Sequence, residues 1–210
     1  MKISVSFLGA ENIPAFLQAL NETDVNFIHV DVMDGKYVKK KTMPFKEMKH
    51  IRDYTEKRLD VHLMVESPKE YIDDYASLNT EYITIHKDIK EDVLKCLKQI
   101  KSYAIKTGIA LNKEDSIQEI VPYLPYLDLI LVMGVTPGKS GQEFLKETTS
   151  KLKELQALKK EYPNLSFIIS VDGGMNEETA KQVKENVDML VSGSYIMNSD
   201  NYQEAINRLR

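Results

Sequence analysis

Hydrophobic positions along the chain follow two alternating rhythms. Short β-branched or apolar runs lie at 2–7, 26–32, 58–64, 81–86, 104–110, 127–133, 165–171 and 188–192. Between and after them, apolar positions repeat at helical spacing near 12–22, 45–56, 68–78, 90–102, 114–122, 142–161, 176–186 and 200–209. Local punctuation agrees with several boundaries. Ser67-Pro68 predicts a capping hydroxyl before a proline at the first helical position. Asn176 precedes Glu177-Glu178-Thr179, a cap followed by acidic residues in the first turn. Strict strand–helix alternation implies parallel strands joined by right-handed crossovers. Eight such units in 210 residues predict an α/β fold, a single-domain (β/α)8 TIM barrel over 1–210. The rival is an open doubly wound sheet, but its Gly-x-Gly-x-x-Gly fingerprint is absent after the first run. No internal repeat or low-complexity linker divides the chain.

Side chains two apart on a strand share a face. In the second run Ile28, Val30 and Val32 interleave with His29, Asp31 and Met33. In the third, Leu59, Val61 and Leu63 interleave with Asp60, His62 and Met64. Ile3, Val5 and Phe7 alternate with Ser4 and Ser6, and Ile169 and Val171 with Ser170 and Asp172. The apolar sets must face the helices, so the polar sets point into the barrel toward its C-terminal mouth. Unpaired, such groups would cost several kcal/mol each to bury.

One divalent metal ion compensates them economically. His29, Asp31, His62 and Asp172 form a His₂Asp₂ set. Nitrogen and oxygen donors of this kind suit Zn²⁺, Mn²⁺, Fe²⁺ or Co²⁺. The alternative is a hydrogen-bonded polar core without an ion.

Composition narrows the rest. Hydrophobic residues are 42% and charged residues 29%, a globular balance rather than a disordered one. A net charge of −4 provides no broad basic field, so no nucleic-acid partner is expected. Lys39-Lys40-Lys41 reads as a solvated loop, and the lone Cys96 as a packed thiol in a helical pattern. No run approaches the ~18 apolar residues of a membrane span, and Met1–Phe7 lacks a long apolar stretch before a small-residue cleavage site, so the expected location is cytoplasmic.

Five segments together resemble the ribulose-phosphate 3-epimerase family. They are Ile28-His29-Val30-Asp31-Val32-Met33-Asp34-Gly35, Asp60-Val61-His62-Leu63-Met64-Val65 and Val171-Asp172-Gly173-Gly174. The others are Leu131-Val132-Met133 with Pro137-Gly138 and Gly141-Gln142-Glu143-Phe144, and Gly193-Ser194. The likeness runs nearly the whole chain, and the order and spacing are more specific than any one motif. It implies a barrel of the ribulose-phosphate-binding type and a small ketose-phosphate substrate. It also implies His29, Asp31, His62 and Asp172 as metal ligands, Asp31 and Asp172 as the acid/base pair, and a homo-oligomer. Ser6, His62, Met33, Met64 and Met133 correspond to residues beside the substrate. Gly138, Ser140, Gly141, Gly173, Gly174, Gly193 and Ser194 correspond to the phosphate-binding loops.

The chemistry is consistent with that resemblance. A proton at C3 of a 2-ketose is α to the carbonyl, and its loss gives an enediolate whose charge a Lewis acid stabilises. Inversion needs one group to remove the proton and another to return it on the opposite face, which two carboxylates provide. Glycine pairs after the seventh and eighth runs let the main chain approach a phosphate closely. Some positions depart from the family pattern. Gly138-Lys139-Ser140-Gly141 replaces a Gly-aromatic-Gly-Gly turn, and Val38-Lys39-Lys40 replaces Val-Pro-Asn. Val5 stands where proline precedes the serine, and Tyr195 where a smaller residue follows Gly193-Ser194.

The leading expectation is interconversion of D-ribulose 5-phosphate and D-xylulose 5-phosphate. Its rivals are 3-epimerisation of a six-carbon relative such as D-allulose 6-phosphate, and a non-catalytic sugar-phosphate-binding barrel. A lysine-centred decarboxylase or aldolase has only Lys87 in its favour, and Lys87 reads as a solvated loop residue.

Overall fold

Eight parallel strands close on themselves in chain order, with β8 completing the ring against β1. The architecture comes from a computed structural model that describes residues 1–138 and 142–210. The strands are β1 (Lys2–Ser6), β2 (Phe27–Met33), β3 (Leu59–Met64), β4 (Thr80–His86), β5 (Lys106–Leu111), β6 (Leu129–Met133), β7 (Ile168–Asp172) and β8 (Met189–Ser192). Outside them lie α1 (Ile13–Asn21), α2 (Phe45–Met48), α3 (Lys69–Ala76), α4 (Val93–Ser102), α5 (Glu147–Glu161), α6 (Glu177–Val183), α7 (Ser194–Met197) and α8 (Tyr202–Arg208). Among the described residues no helix is long and apolar enough to cross a membrane.

The predicted (β/α)8 barrel is the observed fold, and the differences from expectation are local. Residues Ile117–Tyr126 form a 3-10 run rather than an α-helix, because Pro122 and Pro125 cannot donate backbone hydrogen bonds. The helix expected from 142 begins only at Glu147. Ser67 does not cap α3 with its hydroxyl. Pro68 takes the cap position, and Ser67 contributes its carbonyl to Glu70 N instead. Asn176 does cap α6, accepting from the amides of Glu178 and Thr179, while Thr179 Oγ1 accepts from Asn176 N. Cys96 is buried in α4 as expected, and burial pushes its thiol up to about 12.

Alternation sorts each strand as its sequence predicts. Ile3, Val5, Ile28, Val30, Leu59, Val61, Leu63, Ile169 and Val171 join the helices in one continuous apolar layer. Inside the barrel, Phe27, Tyr82, Leu129 and Met189 make an apolar floor. Above it, the inward residues of β1 to β4 and β7 turn largely polar, while Ala110, Leu131, Met133 and Val191 keep β5, β6 and β8 apolar. A dry plug thus supports a mouth with polar and apolar walls. Water excluded from below leaves the mouth's charged groups to be satisfied by one another or by a ligand.

Thr84 and Gly108 are paired in register on β4 and β5, inside the barrel. A Cβ on Gly108 would lie 2.2 Å from Thr84 Oγ1 and 2.9 Å from Thr84 Cβ, and rotating the hydroxyl cannot relieve the second clash. Gly108→Ala is therefore expected to destabilise the protein by about 1–3 kcal/mol. That exceeds the ~0.4–1 kcal/mol gained by stiffening the unfolded chain. Urea unfolding should show a lower midpoint at unchanged slope. An unchanged midpoint would mean the interior has room to spare.

Candidate metal and substrate site at the barrel mouth

Four side chains from three strands converge above the floor. His29 and Asp31 point inward from β2, His62 from β3 and Asp172 from the end of β7. One ligand atom from each lies within 4.8 Å of every other. His29 Nε2 is 3.3 Å from Asp31 Oδ1 and 3.8 Å from Asp172 Oδ2. His62 Nδ1 is 3.4 Å from Asp31 Oδ1 and 3.8 Å from Asp172 Oδ2. Neither nitrogen is aligned as a hydrogen bond, and both are buried without one among the described residues. Two unpaired imidazole nitrogens facing two carboxylate oxygens are a donor set that a divalent cation satisfies, so these residues fit one.

The surroundings hold these groups in place. His29 Nδ1 is 2.8 Å from Asp60 Oδ2, which also accepts from Ser4 Oγ at 2.8 Å. That carboxylate turns His29 Nε2 toward the centre, the usual support for a ligating histidine. Ser6 Oγ donates to Asp31 Oδ2 at 3.0 Å, so the serine at the end of β1 orients a carboxylate as well as lining the mouth.

Electrostatics separates the two aspartates. Burial would raise the Asp31 pKa, but His29 and His62 outweigh it and hold this carboxyl below the ordinary carboxylate range. Burial raises Asp172 to about 6, with the charges of Asp31 and Asp60 adding to the rise and His29 and His62 opposing it. Burial alone would lower His29, yet Asp31 and Asp60 hold it well above its usual value. Without a cation, then, Asp31 is ionised while protons sit on His29 and, below about pH 6, on Asp172.

The cavity above the cluster is lined by Asp31 and Asp172 together with Ser6, Met33, Met64, Met133, Gly138, Gly173, Gly174, Gly193 and Ser194. His29 and His62 are buried and are not part of its lining. Ser140 and Gly141 fall outside the described residues. Gly173 and Gly174 have φ of +107° and +68°. A Cβ on Gly174 would stand 2.8 Å from Phe144 N, so the β7 loop needs glycine to pass under the β6 loop.

Met175, Leu8 and Val135 also line the cavity and carry no clear signal in the sequence, whereas Gln142 belongs to one of the family segments. His86 does carry one. Tyr82, Thr84 and His86 alternate inward on β4 as the site residues do on β2, and His86 is fully buried against His62. Burial, reinforced by His62, keeps the His86 pKa well below its usual value, so its ring is neutral.

Of the two lysine-bearing loops, the first is solvated as its sequence suggests and the second differs. Lys39, Lys40 and Lys41 are exposed, but the loop carrying them is anchored. Asp34 accepts from the amides of Lys36, Tyr37 and Glu66, and Tyr37 Oη donates to Asp88 Oδ1 at 2.7 Å. Lys87 is a held residue rather than a solvated one, 3.2 Å from Asp115 Oδ1 and 2.9 Å from Glu119 Oε1.

Fold and site define a (β/α)8 barrel with a buried His₂Asp₂ centre beneath a glycine-lined cavity. Comparison with known proteins gives the same picture. The sequence model described as "Ribulose-phosphate 3 epimerase family" matches residues 2–197. A protein from Helicobacter pylori strain J99 named ribulose-phosphate 3-epimerase is 36% identical, covering 100% of this chain and 97% of the relative. One of the same name from Bacillus subtilis is 32% identical, covering 100% and 98%. A tryptophan synthase structure from Mycobacterium tuberculosis superposes with a TM-score of 0.70 at 13% identity, over 99% of this chain and 88% of that one, a likeness of fold alone. The chain belongs to the ribulose-phosphate 3-epimerase family. Its class is therefore that of carbohydrate epimerases, which are isomerases.

Proposed function

We propose that this chain interconverts D-ribulose 5-phosphate and D-xylulose 5-phosphate by moving the proton at C3. The observation that carries the reading is the meeting of Asp31 and Asp172, from β2 and β7, around two unpaired histidine nitrogens in one cavity. Asp31, ionised, takes the C3 proton. The C3–H bond breaks, an O–H bond forms on Asp31, and the electron pair moves into the enediolate. Asp172, entering the cycle in its protonated form, gives its proton to C3 on the opposite face; a new C3–H bond forms from the enediolate's electron pair and Asp172 is left ionised. The reverse reaction uses the same pair with roles exchanged.

His29, Asp31, His62 and Asp172 would hold one divalent ion, and the two-nitrogen, two-oxygen set suits Zn²⁺, Mn²⁺, Fe²⁺ or Co²⁺. When bound, such an ion supplies Lewis-acid stabilisation of the negative charge developing beside the reacting carbon. Met33, Met64 and Met133 keep the reacting carbons dry, and Ser6 and His62 stand beside the substrate. The amides of Gly138, Gly173, Gly174, Gly193 and Ser194, with Ser140 and Gly141, receive the phosphate. The same reading takes 1–210 as one domain that works in the cytoplasm as a homo-oligomer, without nucleic-acid or membrane partners.

The test is to incubate the protein in D₂O with D-ribulose 5-phosphate, and separately with D-allulose 6-phosphate, with and without chelator. Deuterium should appear at C3, faster with the five-carbon sugar, and chelation should abolish it. Exchange that persists after exhaustive chelation would remove the metal from the reading. Absence of exchange with either sugar would leave only a binding barrel.

A further inference from the structure

We propose that His86 is a positioning residue that decides which nitrogen of His62 faces the cation site. The inference rests on the reading of His29, Asp31, His62 and Asp172 as such a site. His86 ends β4 and points inward beside His62, with the ring centroids 5.0 Å apart and the planes tilted by 30°. Their Nε2 atoms are 2.9 Å apart, fully buried. At that distance two imidazole nitrogens need one N–H and one lone pair between them.

The site fixes which is which. His62 turns Nδ1 toward Asp31 and Asp172, at 3.4 and 3.8 Å. An imidazole nitrogen ligates through its lone pair, so Nδ1 must be bare and the ring proton must sit on Nε2. His62 Nε2 then donates to His86 Nε2, and His86 keeps its own proton on Nδ1. The opposite arrangement would aim a proton from His62 Nδ1 at the cation.

Tyr37 holds the outer side of this pair. Its ring lies 4.7 Å from that of His86, and its hydroxyl donates to Asp88 and accepts from Asn112 Nδ2 at 3.0 Å. Each ligating histidine thus has its own anchor, the Asp60 carboxylate for His29 and the His86 ring for His62. Anchors of this kind fix tautomer and ring orientation together.

The test measures Zn²⁺ affinity, by competition with a chromophoric chelator, for the wild type, His86→Leu and His86→Gln. His86→Leu, which cannot accept, should bind Zn²⁺ about 10–100-fold more weakly. His86→Gln, whose Oε1 can accept from His62 Nε2, should recover most of that loss. Long-range ¹H–¹⁵N spectra of the Zn²⁺-loaded wild type should show His62 protonated on Nε2 and His86 on Nδ1, a readout independent of how the variants fold. Unchanged affinity in His86→Leu, or a spectrum with His62 bound through Nε2, would overturn the assignment while leaving the cation site intact. A wild type that takes up no Zn²⁺ would overturn both readings.

Discussion

Asp172→Asn is expected to lower kcat by at least about 10²-fold, and Asp31→Asn by a similar factor, the lower range for losing a general acid or base. The substitution keeps shape and one oxygen, so the barrel end should stay folded, but an amide neither takes nor returns a proton at C3. The two aspartates stand in different environments, Asp31 below the ordinary range and Asp172 at about 6. Such a split is what a paired base and acid require. Because both residues also belong to the ligand set, each variant is assayed at saturating metal with bound metal quantified. Solvent exchange then separates chemistry from metal loss. A variant retaining one carboxylate should still exchange the C3 hydrogen of the epimer that presents it to that carboxylate, while failing to invert it. Near-full kcat in either metal-saturated variant would refute the two-acid assignment.

Metal affinity is expected to fall by at least about tenfold between pH 7 and pH 5, because ligands must lose protons before they bind. The sign follows from the metal-free protein. His29 is held well above its usual value by Asp31 and Asp60 despite burial, so its proton opposes the cation and affinity falls as pH falls. Asp172 is raised to about 6 by burial and by neighbouring carboxylates, so it begins to compete below that pH and by itself contributes about a factor of ten. Asp31, held low, contributes nothing in the window. Calorimetric titration of Zn²⁺ or Co²⁺ in buffers of different ionisation enthalpy should show proton release on binding at pH 7. A flat affinity between pH 7 and pH 5 would show that neither group carries a proton in the metal-free site.

Much of the fold is legible in the sequence because its signals are local. A strand's two-residue alternation assigns Val30 to the helices and Asp31 to the interior without knowledge of any neighbour. The cap at Asn176 works the same way, since its partners Glu178 and Thr179 are within three residues. Local signals fail where a proline or a loop intervenes. Pro68 displaces Ser67 from the cap, and Pro122 and Pro125 turn a helical pattern into 3-10. The four-residue α7 is too short to leave a periodic pattern.

The sequence by itself determines that this chain alternates strand and helix eight times, and which residues on each strand look inward. It also names both histidines and both aspartates through their inward parity and the family motifs. Only the tertiary structure decides that atoms of His29, Asp31, His62 and Asp172 lie within 4.8 Å, that Ser6 and Asp60 aim them, and that His86 backs His62. The physical reason is that inward direction is a property of one strand's pleat. Distance between strands distant in the chain is set by barrel closure and stagger, which exist only once all eight have paired.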